Sequence, residues 1–377
     1  MKKTLNRRWI IFSLVAVLGV YSFWVVFQVL RYSHPTDLSF RFPNEIVGVY
    51  HVHSHFSDGK KDVNAIAAAA AGCRLDFLIL TDHGNPNLQS QQASGIKAGV
   101  LVLGGSELSL NRGHLVAMNI QPPFTPLSGT AEIASFQIEQ KGGFSVIAHP
   151  YSKSRWSWGK ENRYSGMEII NADSMLKSSF PGILPYLPIL LFKPEVTAIK
   201  MLRYPRANLM KWDDINRRRP LYGYYAADAH MFYKALFSLL RLHVLLEKSL
   251  DSDFKTASAQ IYTALSQGRF YSGIDGAADT SGFRFWAENP DGRIPMGSSA
   301  PLTSATRLHI ELPAAQLCRV RLIHNGSVLP LQPEKHIQFK PENPGFYRVE
   351  VTLKKSLLSE NCPWILSNPI YLKETFP

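Results

Sequence analysis

The chain has few cysteines, and none of them is spaced to hold a metal. Its 377 residues include three cysteines, Cys73, Cys318 and Cys362, with no Cys-x-x-Cys pair. This scarcity excludes the zinc sites that thiolates build. Cys73 ends an alanine-rich segment and is typical of a buried apolar residue, whereas Cys318 and Cys362 could form a disulfide outside the cytoplasm.

The chain also lacks internal repeats, low-complexity segments and a basic stripe interleaved with aromatic residues. Its formal net charge is +12, but the first 31 residues hold five cations and no acidic residue, so the rest is only mildly basic. Such a surface suits either anionic lipid headgroups or an anionic substrate. Nucleic acid is therefore expected as a partner only in the form of a small nucleotide.

One long hydrophobic run is present, at residues 9–30, and it contains no charged residue. As a helix it would be about 33 Å long, which matches the hydrocarbon core of a bilayer. A cleaved signal peptide would be shorter and would end in small residues. Because cations precede the run, we expect residues 1–8 in the cytoplasm, a membrane anchor at 9–30, a linker at 31–45 and the remainder outside the cytoplasm, in the periplasm of a bacterium. A signal peptide or a buried core helix is the alternative.

Strand-like and helix-like segments alternate from residue 46 to residue 275. This alternation predicts an α/β domain with a mainly parallel sheet or barrel, and Asp62 is a candidate N-cap for its first helix. Residues 173–220 interrupt the pattern with an apolar segment broken by prolines. That segment is expected to be a surface loop packed on the barrel, or else a lid or a patch that touches the membrane.

The last hundred residues have a different pattern. From residue 277 to residue 377, apolar and polar residues alternate at period 2, and an Asn-Gly turn lies at 325–326. This pattern predicts a small antiparallel β-sandwich.

Histidines and carboxylates are concentrated where the predicted strands end. In a barrel of parallel strands, these ends share one rim, so residues far apart in sequence meet there. Such groups are costly to bury without cations, and imidazole with carboxylate suits Zn²⁺, Mn²⁺ or Fe²⁺. The residues at these ends are His51, His53, Asp58, Asp82, His83, Glu107, His114, His149, Asp228 and His230.

The first of these clusters contains a third histidine, His55. Residues 51, 53 and 55 alternate at period 2, so a continuous strand would place all three on one face. The periodicity alone leaves two ligand pairs open, His51 with His53 or His53 with His55.

Five motifs, taken in their order along the chain, resemble those of the PHP (polymerase and histidinol phosphatase) superfamily of metal-dependent phosphoesterases. They are HVHSHFSDG, LTDHG, GSELS followed by GHLVAMNI, VIAHP and ADAH, all within residues 46–275. The resemblance implies a distorted (β/α)7 barrel that holds two or three divalent metal ions. Together with the flanking segments, this gives an α/β protein preceded by one transmembrane helix and followed by an all-β domain.

The resemblance also implies which residues bind each ion and which take part in catalysis. Its spacing places an aspartate five residues after the second ligand histidine, which selects His51 with His53 and leaves His55 as a loop residue. Glu107, Asp228 and His230 are expected to take part in catalysis, and Asp82 to orient a ligand histidine. The implied ligand sets are His51, His53, Glu107 and Asp228 for one ion, Glu107, His114 and His149 for a second, and Asp58, His83 and His230 for a third.

The expected reaction is hydrolysis of a phosphate mono- or diester. Clustered dications lower the pKa of bound water, and nearby cations neutralise the charge that develops on phosphate. Arg112, Lys153 and Arg155 are candidate cations for this role. The expected substrate is a phosphorylated small molecule or an envelope component. The alternatives are an amide or ester hydrolase on the same barrel, and an anchored scaffold with a structural metal site.

Overall fold

The computed structural model describes residues 7–32, 41–152, 155–159, 163–179, 186–313, 317–354 and 356–374. Its helices are α1 (Arg7–Arg31), α2 (Val63–Gly72), α3 (Leu88–Gln92), α4 (Ala131–Gln140), α5 (Ala172–Ser178), α6 (Leu187–Phe192), α7 (Pro194–Met201), α8 (Arg206–Asn216), α9 (Tyr233–Leu239) and α10 (Phe254–Ser266).

The strands fall into two groups along the chain. Those before residue 275 are β1 (Glu45–Val52), β2 (Phe77–Leu80), β3 (Gly95–Lys97), β4 (Val100–Leu110), β5 (Gly113–Met118), β6 (Phe144–Ile147), β7 (Gly166–Asn171), β8 (Tyr222–Ala226), β9 (Arg241–Leu245) and β10 (Phe270–Gly273). Those after it are β11 (Arg284–Asn289), β12 (Gly292–Pro295), β13 (Ser299–Pro301), β14 (Arg307–Glu311), β15 (Cys318–His324), β16 (Ser327–Leu331), β17 (His336–Phe339), β18 (Gly345–Leu353), β19 (Ile365–Ser367) and β20 (Ile370–Lys373).

The central sheet is mostly parallel and curls back toward its first strand. Strands β1, β2, β4, β5, β6, β7 and β8 are neighbours in this order, and of these only β5 runs antiparallel to its neighbours within the described residues. After β8, the amide of Ala227 donates to the Tyr50 carbonyl and the amide of Ala229 to the His51 carbonyl, each at 3.1 Å. The predicted α/β class with a parallel-stranded sheet is confirmed.

Local sequence explains the elements that support this sheet. Strand β2 (FLIL) is buried along its whole length, as expected for a strand covered on both faces. Helix α2 begins after Asp62, whose carboxylate accepts a hydrogen bond from the Ala65 amide at 2.9 Å, so the predicted N-cap is confirmed. Its buried residues, Val63, Ile66, Ala67 and Ala70, recur at helical spacing.

The segment 173–220 is mostly helical where it is described, which the sequence pattern did not predict. Helices α5 to α8 lie in it, and prolines occupy the first turns of α6 and α7, where a missing amide costs no helical hydrogen bond. Helix α7 packs against α5, α6 and α9, while α8 packs on β7. The expectation of a loop packed on the barrel is therefore corrected to a layer of short helices.

The strands after residue 275 continue the central sheet and add a second one. Strand β19 pairs antiparallel with β10, and β18, β20 and β13 follow it at the sheet edge. Strands β12, β11, β14 and β17 form a separate four-stranded sheet. The predicted hairpin joins β15 to β16 through Asn325 and Gly326, whose positive φ values of 50° and 82° fit a tight turn. The domain boundaries themselves stay predictions.

The three cysteines lie within these elements as buried thiols, and no disulfide joins any of them in the described part of the chain. The disulfide considered for Cys318 and Cys362 is therefore not formed in this structure.

Candidate metal centre

The site is built around one buried carboxylate. Glu107 lies in β4, and its two oxygens contact five imidazole rings. One oxygen lies 2.9 Å from His114 Nδ1 and 2.9 Å from His149 Nε2. The other lies 3.2 Å from His51 Nε2, 3.2 Å from His53 Nε2 and 3.4 Å from His83 Nδ1. Residues from four separate motifs therefore meet at a single carboxylate.

The first predicted ligand set is brought together in full. His51 Nε2 and His53 Nε2 are 3.1 Å apart, and each lies 3.4 Å from the same oxygen of Asp228. With Glu107 at 3.2 Å from both rings, four donor atoms enclose one point.

The two other predicted sets also converge. Glu107 joins His114 and His149 as described above, which is the second set. In the third set, an oxygen of Asp58 lies 3.1 Å from His230 Nε2 and 3.9 Å from His83 Nε2. The structure thus gathers all nine predicted ligands into one cluster, although their role as ligands stays a prediction.

Hydrogen bonds fix the orientation of two of these rings. His51 Nδ1 lies 2.6 Å from a Glu168 oxygen, and His230 Nδ1 lies 3.0 Å from the Asp228 carbonyl oxygen. Both partners are acceptors, so each Nδ1 carries the hydrogen and each Nε2 presents its lone pair to the cluster. Glu168 in β7 also accepts from the backbone amide of His149, at 2.7 Å.

Glu168 is not among the residues that the sequence predicted for the site. It is the one charged residue in the short strand β7, and the alternation of apolar and polar residues does not distinguish it from a surface residue. The signal in the sequence was an acidic residue at the third position of a short strand-like segment, GMEIIN, that has no other charged residue.

Asp82 acts on a loop rather than directly on a ring. Its carboxylate accepts hydrogen bonds from the Ser54 amide and hydroxyl, at 2.7 and 2.8 Å, and from the hydroxyls of Ser57 and Ser90, each at 2.7 Å. The Ser57 hydroxyl in turn lies 3.4 Å from His53 Nδ1. Asp82 therefore holds the loop between His53 and Asp58 and is linked to His53 through Ser57, and its expected role in orienting a ligand histidine stays a prediction.

Three of the clustered residues have an unusual backbone conformation. The φ angles of His51, His149 and Asp228 are 65°, 27° and 47°, in the left-handed region that non-glycine residues seldom occupy. At His51 this coincides with an irregular register between β1 and β2, which breaks the period-2 alternation of the strand. Strained backbone of this kind is concentrated at functional sites because the surrounding structure must hold it.

His55 lies outside the cluster. Its side chain is exposed, and its ring packs beside Phe56 rather than against any of the nine residues. Of the two pairs that periodicity left open, the structure brings together His51 with His53.

The electrostatics of the cluster favour ionised carboxylates. Burial raises the pKa of Glu107, but His51, His114 and His149 outweigh it and hold that pKa well below its usual range. Burial lowers the pKa of His53, yet its hydrogen bonds to Asp228 and Glu107 raise the value to about 9. Positive charge at the centre of the cluster is therefore strongly stabilised by the carboxylates.

Of the three cations that the sequence suggested, none contacts the cluster in the described residues. The Arg112 guanidinium donates twice to Glu132, at 2.9 and 2.7 Å, and once to the Ser157 carbonyl. Arg155 is exposed, and Lys153 lies outside the described residues.

The structure places another cation near the cluster. Lys177 in α5 forms an ion pair with Asp173, whose carboxylate groups with Asp228 and His230 at the edge of the cluster. Burial lowers the pKa of Lys177, but Asp173, followed by the charges of Asp228 and Asp58, raises it above its usual range. Both residues lie in the segment 173–220, which interrupts the alternation of strand-like and helix-like segments.

The donor set fits divalent metal ions. With hydrogen on Nδ1, the lone pair of His230 Nε2 faces the Asp58 oxygen, and that of His51 Nε2 faces Glu107 and Asp228. Acceptors that face each other at 3.1 to 3.4 Å need a proton or a cation between them. His83 Nδ1 is buried and has no hydrogen-bond partner, although it points at Glu107. Nitrogen and oxygen donors without thiolate suit Zn²⁺, Mn²⁺ or Fe²⁺.

Solved structures similar to this chain include a two-domain protein from Bacteroides vulgatus that contains a predicted PHP-like metal-dependent phosphoesterase. Its sequence identity is 14% and its TM-score is 0.45, over 89% of this chain and 98% of that protein. PHP-like proteins are thus among the structural neighbours of this chain.

Two further structures are similar over about half of this chain. A protein assigned as a metal-dependent phosphoesterase in Bifidobacterium adolescentis has 12% identity and a TM-score of 0.35, over 55% of this chain and 93% of its own. An amidohydrolase from Chromobacterium violaceum, with bound sulfate and no metal, has 17% identity and a TM-score of 0.31, over 48% and 87%. The comparisons with protein families and with curated proteins find no match.

Proposed function

We propose that this protein is a metal-dependent phosphoesterase, a hydrolase of phosphate mono- or diesters. The observation that carries the proposal is Glu107, a buried carboxylate in contact with five imidazole rings. Two or three divalent ions, Zn²⁺, Mn²⁺ or Fe²⁺, would be held by the nine clustered side chains in the sets stated above. The central strands would then form a distorted seven-stranded PHP-type barrel, closed by the hydrogen bonds between the end of β8 and β1.

Each part of the cluster has a task in this proposal. When bound, the ions supply Lewis acidity and make hydroxide available near neutral pH. Glu107 and Asp228 contact the two histidines of the first set, so that the four side chains surround one point. Glu168 orients His51 by accepting its Nδ1 hydrogen. His230 donates its Nδ1 hydrogen to the Asp228 carbonyl oxygen, which leaves its Nε2 directed at Asp58.

Lys177 takes the place that the sequence suggested for Arg112, Lys153 and Arg155. It lies at the edge of the cluster beside Asp173, where its ammonium group can face a phosphate oxygen. The substrate class is therefore an anionic phosphate ester, either a phosphorylated small molecule or an envelope component.

In the same proposal, α1 anchors the chain in a membrane. This helix is the one described helix that is long and apolar enough to cross a bilayer. Because Arg7 and Arg8 precede the apolar run, the proposed orientation has residues 1–8 in the cytoplasm and the catalytic part outside it.

The decisive experiment compares two histidines of one loop. The purified chain is analysed for metal and assayed with an aryl phosphate and with amide and ester substrates. We expect bound metal and phosphate hydrolysis, lost in His53→Ala and Asp228→Asn without loss of folding, and kept in His55→Ala, whose side chain is exposed. Full activity in His53→Ala would remove the proposed site. Turnover of acyl substrates alone would favour the amide or ester hydrolase instead.

A further inference from the structure

The second half of α1 does not stand apart from the rest of the protein. Its partly buried residues recur every three or four positions, and they pack on the folded part of the chain. These residues are Tyr21, Trp24, Val25, Gln28 and Val29. Tyr32, directly after the helix, is buried, and its hydroxyl donates to the Gly276 carbonyl at 3.3 Å. One face of α1 is therefore docked against the protein.

This docking reaches α6. The ring of Trp24 meets the ring of Tyr186, the residue before α6, edge to face with centroids 4.9 Å apart. Trp24 lies seven residues before Arg31, the last residue of α1, which is about 10 Å along the helix axis. If α1 crosses a membrane with its charged end at the surface, Tyr186 lies at the depth of Trp24, below that surface.

Helix α6 is suited to this depth. Ile189 is fully buried against the protein, whereas Leu191 and Phe192 are 79% and 81% exposed, and Leu187 is 44% exposed. Among the described residues of α6, none is charged. Leu187 and Leu191, four residues apart, share one side of the short helix, and Phe192 at its end is the most exposed of the three, so these apolar side chains are largely uncovered by the described part of the protein.

The flanking residues match the membrane boundary. Lys193, directly after α6, places its ammonium nitrogen 5.5 Å from the Tyr32 ring centroid. Lys200 in α7 is close enough to Arg31 that, besides burial, the charge of Arg31 lowers the pKa of Lys200. Lysine and arginine beside tyrosine and tryptophan are typical of the level of lipid headgroups, and Glu195 is the one acidic residue among the described residues 186–202.

We infer that α6 is a second membrane contact, with Leu187, Leu191 and Phe192 placed in the boundary between the headgroups and acyl chains of the membrane that α1 enters. The inference rests on the proposed function in one respect, that α1 crosses a membrane. Lipid is the occupant because Tyr186 at the start of α6 packs on Trp24 and Lys193 after its end lies against Tyr32, so α6 runs beside the last two turns of the helix that a bilayer would surround. The catalytic part is then held to the bilayer at two points, which fixes its orientation.

Environment-sensitive labels on the full-length chain in vesicles test this inference. Single cysteines replace Phe192 in α6, Val20 in α1 or Val328 in β16, which are 81%, 71% and 50% exposed. The three native cysteines are buried, and the unsubstituted chain gives the labelling background. The vesicles contain phosphatidylcholine, phosphatidylglycerol and lipids that carry a nitroxide quencher at a shallow or a deep position.

We expect shallow nitroxide lipids to quench the Phe192 label about twofold, because an interfacial helix lies roughly 5–10 Å into the headgroup–acyl boundary. The Val20 label should be quenched more strongly by deep nitroxides, and the Val328 label by neither. A Leu191→Cys label should repeat the Phe192 result.

Three other results would overturn the inference, and they differ from one another. If Val20 is quenched and Phe192 behaves like Val328, the anchor stands and the second contact falls. If Val20 is not quenched, the anchor itself fails and the second contact fails with it. If the Phe192 label is shielded from aqueous iodide yet insensitive to nitroxide lipids, a protein surface such as a second copy of the chain covers α6.

Discussion

At the scale of single residues, Arg112 and Lys177 are both paired with a carboxylate, but they lie in different places relative to the cluster. The Arg112 guanidinium is held by Glu132 and the Ser157 carbonyl, whereas Lys177 sits beside the cluster with 65% of its side chain exposed. A cation that binds phosphate must lie beside the cluster and exchange its carboxylate partner for the substrate. The sequence suggested Arg112 because it follows the strand that holds Glu107, whereas no pattern singled out Lys177, and the role of Lys177 is the one proposed above.

Replacement of Lys177 by alanine should raise KM for a phosphate ester about tenfold and change kcat little. A charge-assisted hydrogen bond contributes about 1.5–3 kcal/mol, and solvent exposure places Lys177 at the lower end of that range. Steady-state kinetics of Lys177→Ala and of Lys177→Arg, which keeps the charge, measure the effect. An unchanged KM in Lys177→Ala would remove Lys177 from the substrate site.

At the scale of elements, a buried ion pair joins helix α8 to strand β18 in the C-terminal part of the chain. Arg348 in β18 donates to both oxygens of Asp213 in α8, at 2.7 and 2.8 Å, and to Glu350 at 2.7 Å. Arg348 is 1% exposed, so its charge depends on these partners for solvation. The adjacent Asp214 instead forms an exposed pair with Arg218 at 2.6 Å.

Neighbouring aspartates in α8 should therefore respond differently to substitution. Asp213→Ala leaves a buried guanidinium with a single carboxylate partner and should lower the free energy of unfolding by about 3 kcal/mol. Asp214→Ala removes an exposed pair and should lower it by less than about 1 kcal/mol. Denaturant titration of both variants in detergent gives the comparison, and equal losses would contradict the role assigned to Arg348.

At the scale of the whole molecule, a second buried network lies at the seam between the two parts of the chain. His243 in β9 lies 2.9 Å from Glu45 in β1 through Nδ1 and 3.2 Å from Asp275 through Nε2. Arg284 in β11 lies 2.8 Å from Glu45. Burial lowers the pKa of His243, but Asp275 and Glu45 outweigh burial and raise it to about 9.

This network predicts a pH dependence of stability. The pKa of His243 is raised above the unfolded value of about 6.5, so its contribution is complete below pH ~6.5 and is lost as the pH rises through about 9. Burial raises the pKa of Glu45, but His243 and Arg284 hold it at about 2, so Glu45 stays ionised throughout that window. The difference in Tm between the native chain and His243→Gln should therefore be larger at pH 6 than at pH 10. A difference that grows with pH would reverse the sign and refute the argument.

The cluster was predictable because its residues belong to short motifs at or near the ends of segments with a clear strand pattern, although the structure continues β1 past His51 and β4 past Glu107. The rest was not. Glu168 lies inside a strand, where alternation says nothing about what its carboxylate meets across the sheet. Lys177 and Asp173 lie in a segment whose prolines argued against helices. Two of those prolines lie in the first turns of α6 and α7, where proline does not prevent a helix.

Strand β9 shows a second limit. Its sequence, RLHVL, is a short apolar run that fits a buried strand and a helix equally well. Only pairing with β1 and β10 decides between them, and the pairing with β1 joins residues as far apart in sequence as Glu45 and Leu245.

The left-handed backbone at His51, His149 and Asp228 limits which substitutions report on chemistry alone. Asparagine and aspartate tolerate this conformation better than other non-glycine residues, and β-branched residues tolerate it least. Asp228→Asn therefore removes a charge while it keeps the local chain path, whereas Asp228→Val would change both. At His51, alanine removes a ring and leaves the strain, so loss of activity there would mix two causes. His53, which lacks this strain, is the cleaner position for separating catalysis from folding.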